Sequence, residues 1–358
     1  MSVIVDPAAH TMRSIIGHAG ARQYLIHAVE GNLLPHALLL TGPKGVGRAS
    51  LAYALAKLIN CPQGAPPDCN CRACRKIRAG SSPDFLLIEP QSASGQLTLM
   101  GWKPGKDDPN DLQYYRFVET APVENPRKVL VFRHAERMNI ALSNYLLKLI
   151  EEPPSCLVMI FLAPRPSDLL ATVRSRCTPV SLSPVGYREL AEFAADAAPT
   201  LDADVRHLLV MLSEGRPGRF LELLEEDAHG EHARLAAEMN LFRDHGFLAL
   251  FGVSRRLAEH ALAADANERL RSTIDALFAW LRDAVLHLAL EPAAAQRLAL
   301  YRDVLPDLAR FADHSDLESL VTACEYVAQA YEYVPRQTDR TYVLELLLTR
   351  IGRALRSR

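Results

Sequence analysis

The sequence predicts an α/β fold: a parallel sheet covered by helices on both faces, continued by helices alone. Three observations predict it. In the first half, short apolar runs (Ala37–Leu40, Phe85–Ile88, Val129–Phe132 and Val158–Leu162) alternate with helical patterns, as strands buried on both faces require. From about Pro184 those runs stop and only amphipathic segments follow. The chain has 358 residues, 49% hydrophobic and 23% charged, so it is globular. At roughly 100 to 200 residues per domain it holds two or three domains.

In chain order, Met1–Pro7 has no basic segment leading into an apolar core, so no secretory leader is expected. The first strand, Ala37–Leu40, runs into a glycine-rich turn and a helix over Ala49–Ile59. A cysteine-rich stretch separates that helix from the second strand. Gln91–Arg127, rich in Gly, Pro, Ser and Asp around Trp102, Tyr114, Tyr115 and Phe117, reads as an irregular surface excursion, helical around Asp111 to Val118. The string Asn144–Pro154 carries Glu151 and Glu152 near the end of a helix that stops before Pro153, ahead of the fourth strand. Two short helices follow, Tyr187–Ala197 and Asp202–Ser213, and then a break at Gly215–Gly218. Longer amphipathic segments cover Ala233–Arg256, Asn267–Leu290, Ala294–Phe311, Leu317–Tyr333 and Thr341–Leu355. The boundaries predicted are an α/β domain over 1–183 with a cysteine module inserted at 61–74, a small helical domain over 184–230, and a helical bundle over 231–358.

Composition narrows the function. Lys and Arg total 40 against 42 Asp and Glu, so no uniform attraction to nucleic acid or anionic membrane acts on the chain. The apolar stretch Leu157–Pro164 is far short of the ~20 residues a membrane helix needs. A cytoplasmic protein is expected. The 12 histidines are scattered, and no metalloprotease or serine-hydrolase pattern joins them. Glu151 and Glu152 are adjacent on a helix and point in different directions, so they do not form an acid–base pair.

Gly42-Pro43-Lys44-Gly45-Val46-Gly47-Arg48-Ala49, between a strand and a helix, has the setting and glycine spacing of a phosphate loop. Its chemistry is missing. Arg48 stands where a compact lysine would reach the phosphates, and Ala49 where a hydroxyl would hold Mg²⁺. After the third strand, Arg133-His134 stands where a metal-ordering Asp and a catalytic Glu would sit, with Glu136 beyond the strand end. ATP and Mg²⁺ are therefore not expected to bind productively. Gly42, Gly45, Gly47 and Arg48 remain candidates for binding an anion through the loop's backbone N–H groups.

Of the 7 cysteines, Cys61, Cys69, Cys71 and Cys74 crowd into one segment. Thiolates from one compact loop close a tetrahedral Zn²⁺ site and leave no open position, so the metal is structural. A redox pair, unligated thiols or an iron–sulfur cluster are the other readings.

Several strings together resemble one family, the AAA+ clamp-loader subunits of bacterial DNA polymerase III, and within it the delta-prime branch. They are His36-Ala37-Leu38-Leu39 before the glycine loop, Asn144 to Pro154 with its Glu-Glu-Pro-Pro end, Arg174-Ser175-Arg176-Cys177, Gly218-Arg219, and Trp280-Leu281-Arg282-Asp283. The resemblance implies an ATPase-like domain with a zinc module, a helical lid and a helical collar, in a ring that places a sliding clamp on primed DNA. It implies tau/gamma and delta subunits as partners, and a member that does not hydrolyse ATP. It implies that Arg176 acts as an arginine finger on a neighbouring tau/gamma subunit, with Arg174 as helper and Arg219 in the lid's sensor position. It implies four zinc ligands, although Cys-x-Cys replaces the family's usual wider step, which makes Cys69 the irregular member. Two alternatives stay open: an active tau/gamma-like ATPase using Arg48, and a zinc-containing DNA-binding module.

Overall fold

The computed structural model describes residues 8, 10–67, 69–90, 95–98, 102, 113–225, 228–259, 266–332 and 339–355. Met1–Pro7 lies outside them. Contacts divide the chain into two units, one up to Phe193 with Glu214–Leu221, the other Ala194–Ser213 with Glu222 onward. The elements begin with α1 (Ala19–Glu30), β1 (Ala37–Thr41), α2 (Arg48–Asn60), α3 (Arg72–Arg78), β2 (Phe85–Ile88), α4 (Gln113–Glu119) and β3 (Lys128–Phe132). They continue with α5 (Ile140–Glu151), β4 (Leu157–Ala163), α6 (Ala171–Arg174), β5 (Thr178–Ser181), α7 (Tyr187–Ala197), α8 (Ala203–Leu212) and α9 (Pro217–Glu225).

Among the described residues the strands form one parallel five-stranded sheet in the order β2-β3-β4-β1-β5. Side chains alternate between its faces with the strand period of two. Leu38, Leu40, Val129, Val131, Val158 and Ile160 pack with Leu25 of α1 and Leu51 and Leu55 of α2. Leu39, Leu130, Phe132, Met159 and Phe161 pack with Leu142, Leu146 and Ile150 of α5. β1 lies inside the sheet, so the turn at its carboxyl end opens where such sheets hold ligands. The fifth strand is absent from the apolar-run pattern. Thr178-Pro179-Val180-Ser181 sits on an edge with only Val180 buried, and an edge tolerates both proline and polar side chains.

The excursion is anchored wherever it is described. Leu97 bridges Met138, with Leu97 N donating to Arg137 O at 3.0 Å and Asn139 N to Leu97 O at 3.0 Å. Trp102 is fully buried, stacked on Phe132 and packed against Tyr114 and Tyr145. α4 realises the expected helix from Gln113, and its end is fixed by buried Lys128, whose Nζ donates to Phe117 O at 2.7 Å and Thr120 Oγ1 at 2.6 Å. The parts of the expectation on residues 91–94, 99–101 and 103–112 lie outside the described residues.

The second unit continues with α10 (Ala228–His245), α11 (Leu250–Glu259), α12 (Ala266–Ala289), α13 (Pro292–Leu298), α14 (Leu305–Ala312), α15 (Leu317–Ala330) and α16 (Arg340–Ala354). Two segments expected to be continuous are broken. Ala233–Arg256 turns at Gly246, whose φ of 56° suits glycine, and Ala294–Phe311 is interrupted after Leu298. One buried core gathers Trp280 of α12 with Tyr301, Phe311, Leu320, Leu344 and Leu348. None of the described helices is long and apolar enough to cross a membrane.

Asp283 holds the second break together. It is buried, and its Oδ2 accepts from Leu300 N at 2.6 Å and Tyr301 N at 2.8 Å, while Oδ1 accepts from Arg282. Burial pushes its pKa up, and the hydrogen bonds from Tyr301, Arg282 and Leu300 act against that. Asp283→Ala leaves two buried N–H groups without an acceptor, at about 1 to 3 kcal/mol each. The expected result is a loss of about 3 kcal/mol, read as a lower urea midpoint, with Asp283→Asn losing less. An unchanged midpoint for the alanine variant would remove this role.

Candidate functional site

The phosphate loop is built around three glycines that need positive φ: Gly42 at 145°, Gly45 at 84° and Gly47 at 109°. A Cβ on Gly42 would lie 2.3 Å from Leu182 O, and one on Gly45 2.8 Å from Arg219 N. Gly42 N donates to Pro164 O at 3.1 Å, Gly218 N to Gly45 O at 2.8 Å, and His18 Nε2 to Val46 O at 3.0 Å. The loop is thereby fastened to the strand beside it and to the start of α9, which brings Arg219 against Gly45. Gly47 caps α2 with no side-chain cap, so the first N–H groups of that helix have no intrahelical acceptor and point toward the loop.

Arg48 opens α2 and is partly buried. Desolvation lowers its pKa, Glu136 acts to raise it, and Arg133 lowers it further. Glu136, placed by sequence spacing beyond the strand end, is therefore close enough for its charge to act on Arg48. Its Oε1 lies 3.2 Å from His134 Nδ1, and its Oε2 is buried with no hydrogen-bond partner among the described residues. Beside Ala49 lies a cavity of about 240 Å³ lined also by Tyr53, Glu89 and Arg133. Arg133 Nη1 pairs with Glu89 Oε1 at 2.6 Å. Ala49 thus brings a methyl group, and Arg133–Glu89 a solvent-open ion pair, to the lining of this cavity.

Arg176 follows α6, between exposed Ser175 and buried Cys177, whose thiol burial pushes up to about 12. Its Nε and Nη2 donate to Glu151 Oε1 at 2.8 and 2.6 Å, and its Nη1 to Thr172 O at 3.0 Å. The pair is open to solvent, with side-chain exposures of 39% for Arg176 and 49% for Glu151. Arg174 is exposed, with Nη1 3.5 Å from Pro166 O. Among the described residues neither arginine shares a hydrogen bond or ion pair with the phosphate loop. The partnership of Arg176 with Glu151 was hidden in the sequence, because 25 residues separate them.

The four cysteines converge. Their Sγ atoms all lie within 4.8 Å of one another; Cys61 is 3.6 Å from Cys69 and 3.7 Å from Cys71. A tetrahedron of ~2.3 Å zinc–sulfur bonds has edges of about 3.8 Å, so the donor set fits zinc. Cys69, irregular by spacing, sits inside the cluster with the rest. Burial raises the pKa of Cys61 and Cys74; it also acts to raise Cys71, but hydrogen bonds from Cys74 N–H and the neighbouring thiols leave that group low. Glu124 pairs with Arg72 at 2.7 Å and Lys76 at 2.6 Å, tying the return of the excursion to the cysteine module. Asp84 fixes the same return by accepting from Val123, Glu124 and Asn125 N–H, each at 2.8 Å.

The profile of the family described as DNA polymerase III, delta subunit, matches residues 17–186. DNA polymerase III subunit delta' of Pseudomonas aeruginosa is 31% identical over 251 residues, covering 69% of this chain and 70% of its own length. DNA polymerase III subunit gamma/tau of Mycobacterium bovis is 30% identical over 218 residues, covering 59% of this chain and 36% of its own. A solved DNA polymerase III gamma-subunit-related protein from Thermotoga maritima is similar with a TM-score of 0.46 and 15% identity, over 93% of this chain and 99% of its own.

Proposed function

This chain belongs to the DNA polymerase III subunit delta' family, and on that premise we propose that it is a clamp-loader subunit that does not hydrolyse ATP. Its work is to scaffold the loader and to supply Arg176 to the ATP site of a neighbouring tau/gamma subunit, with delta, the sliding clamp and primed DNA as the remaining partners. The observation that carries the reading is the emptied chemistry of the phosphate loop. The glycine geometry persists, but Ala49 offers no hydroxyl, Arg133-His134 follows the third strand in place of an acidic pair, and Arg133 is tied to Glu89 at 2.6 Å. Phosphoryl transfer needs Mg²⁺ ordered against the phosphates, and here the loop lysine and hydroxyl that would hold phosphate and metal are replaced by Arg48 and Ala49. Gly42, Gly45, Gly47 and Arg48 retain the means to hold an anion, with Arg219 beside them.

In this reading residues 1–183, 184–230 and 231–358 act as ATPase-like domain, lid and collar. Cys61, Cys69, Cys71 and Cys74 hold one structural zinc ion, which closes the loop between α2 and β2 and takes no part in chemistry. Similarity to gamma/tau supports a second reading, an active ATPase using Arg48. Steady-state ATP turnover of the purified chain separates the two. The expected result is no turnover above a protein-free control. Turnover that Arg48→Ala abolishes would overturn the proposal and establish the second reading.

A further inference from the structure

We infer that Glu151 is a positioning residue for Arg176, holding its guanidinium back on its own chain until a neighbouring subunit's nucleotide competes for it. The inference rests on the finger reading above. Both partners stand on fixed ground. The end of α5 is pinned by His36, whose Nε2 donates to Ile150 O at 2.9 Å, and Pro153 stops the helix directly after Glu152. On the other side Val173 and Cys177 are buried around Arg176, which anchors its backbone and leaves its side chain open to solvent. The geometry turns the donors inward. Nε and Nη2 reach Glu151 Oε1, and Nη1 reaches Thr172 O at 3.0 Å and Ser175 Oγ at 3.4 Å. A guanidinium has five N–H donors, so a finger held this way has most of its fork engaged. The carboxyl end of α5 adds its negative dipole to the carboxylate.

A triphosphate carries more charge than one carboxylate and accepts the fork in two places, so it wins the arginine when a subunit interface brings it near. Until then the ion pair withholds it. Because both groups are half-exposed, the withholding is mild, about two- to fivefold in the fraction of arginine free to extend. The finger's contact strengthens in the transition state, so this fraction scales kcat and leaves KM for ATP unchanged.

The test uses the loader reconstituted from this chain with tau/gamma and delta, and reads DNA-stimulated ATP turnover. Glu151→Gln keeps the length of the side chain and removes its charge. The expected result is kcat raised about two- to fivefold with KM unchanged, an advantage that shrinks as salt screens the wild-type pair. In an Arg176→Ala background Glu151→Gln is expected to change nothing. If Arg176→Ala lowers turnover but Glu151→Gln leaves it unchanged or lower, the withholding role is overturned and the finger stands. If Arg176→Ala itself leaves turnover unchanged, the finger reading falls, and the role of Glu151 with it.

Discussion

Chelating zinc from the protein, or replacing Cys74 with Ser, is expected to remove one equivalent of metal and unfasten residues 61–78 while the sheet persists. The cluster formed by Cys61, Ala65, Cys69 and Cys74, with Cys71 beside it, contains no large aliphatic side chain. Hydrophobic burial contributes little there, and on the zinc reading proposed above the metal supplies the folding energy; structural zinc sites release about 10 to 16 kcal/mol on binding. Burial raises the pKa of the Cys61 and Cys74 thiols, and a zinc ion held among them would favour the thiolates. The damage stays local because the two sheet faces draw mostly on other residues; among the described residues of the module only Ile77 of α3 joins that core. It does spread to the excursion. Arg72 and Lys76 ride on α3 and hold Glu124, so their loss exposes the turn at Val123–Asn125, which Asp84 and Ser82 then keep in place. Elemental analysis and limited proteolysis mapped by mass spectrometry read both effects. A protein purified without metal whose 61–78 segment resists protease would remove zinc from the account.

What the sequence made legible followed the range of each interaction. Central strands are buried on both faces and announce themselves as apolar runs, so β1 to β4 were readable within a residue or two. β5 was not, because an edge strand beside β1 needs only Val180 inside. The phosphate loop was readable because glycine spacing is a local backbone requirement. That Glu136 lies within electrostatic reach of Arg48 was not, since 88 positions part them in the chain. Lys128, Asp84 and Glu124, which anchor the excursion, looked like ordinary charges; their burial or pairing appears only when the chain folds back on itself. Asp283 was visible within a recurrent string, yet its partners, Leu300 and Tyr301, lie 17 and 18 residues on.

Arg176→Ala is expected to leave folding intact and to lower ATP turnover at the one site the arginine serves by about 10³ or more. Stability survives because the lost contacts are solvent-open: a pair with Glu151 at 39% and 49% exposure, a carbonyl and a hydroxyl. Such pairs are worth about 0 to 1 kcal/mol, less than a shift in unfolding midpoint would resolve. On the finger reading the effect on rate is larger, because the guanidinium would meet charge that develops only as the phosphoryl group moves. ATP affinity of the assembled complex is therefore expected to stay near the wild-type value while single-turnover hydrolysis falls. Arg176→Lys separates charge from geometry: a compact ammonium keeps the sign but loses the two-pronged donor, so it restores only part of the rate. Arg174→Ala is a weaker perturbation, since Arg174 shares the same exposed turn but reaches only Pro166 O at 3.5 Å. Whole-complex turnover falls by the share of the site served, which makes single-turnover hydrolysis and clamp loading onto primed DNA the decisive measurements. Wild-type rates in both for Arg176→Ala would mean that this arginine belongs to the surface of its own subunit, where Glu151, Thr172 and Ser175 hold it.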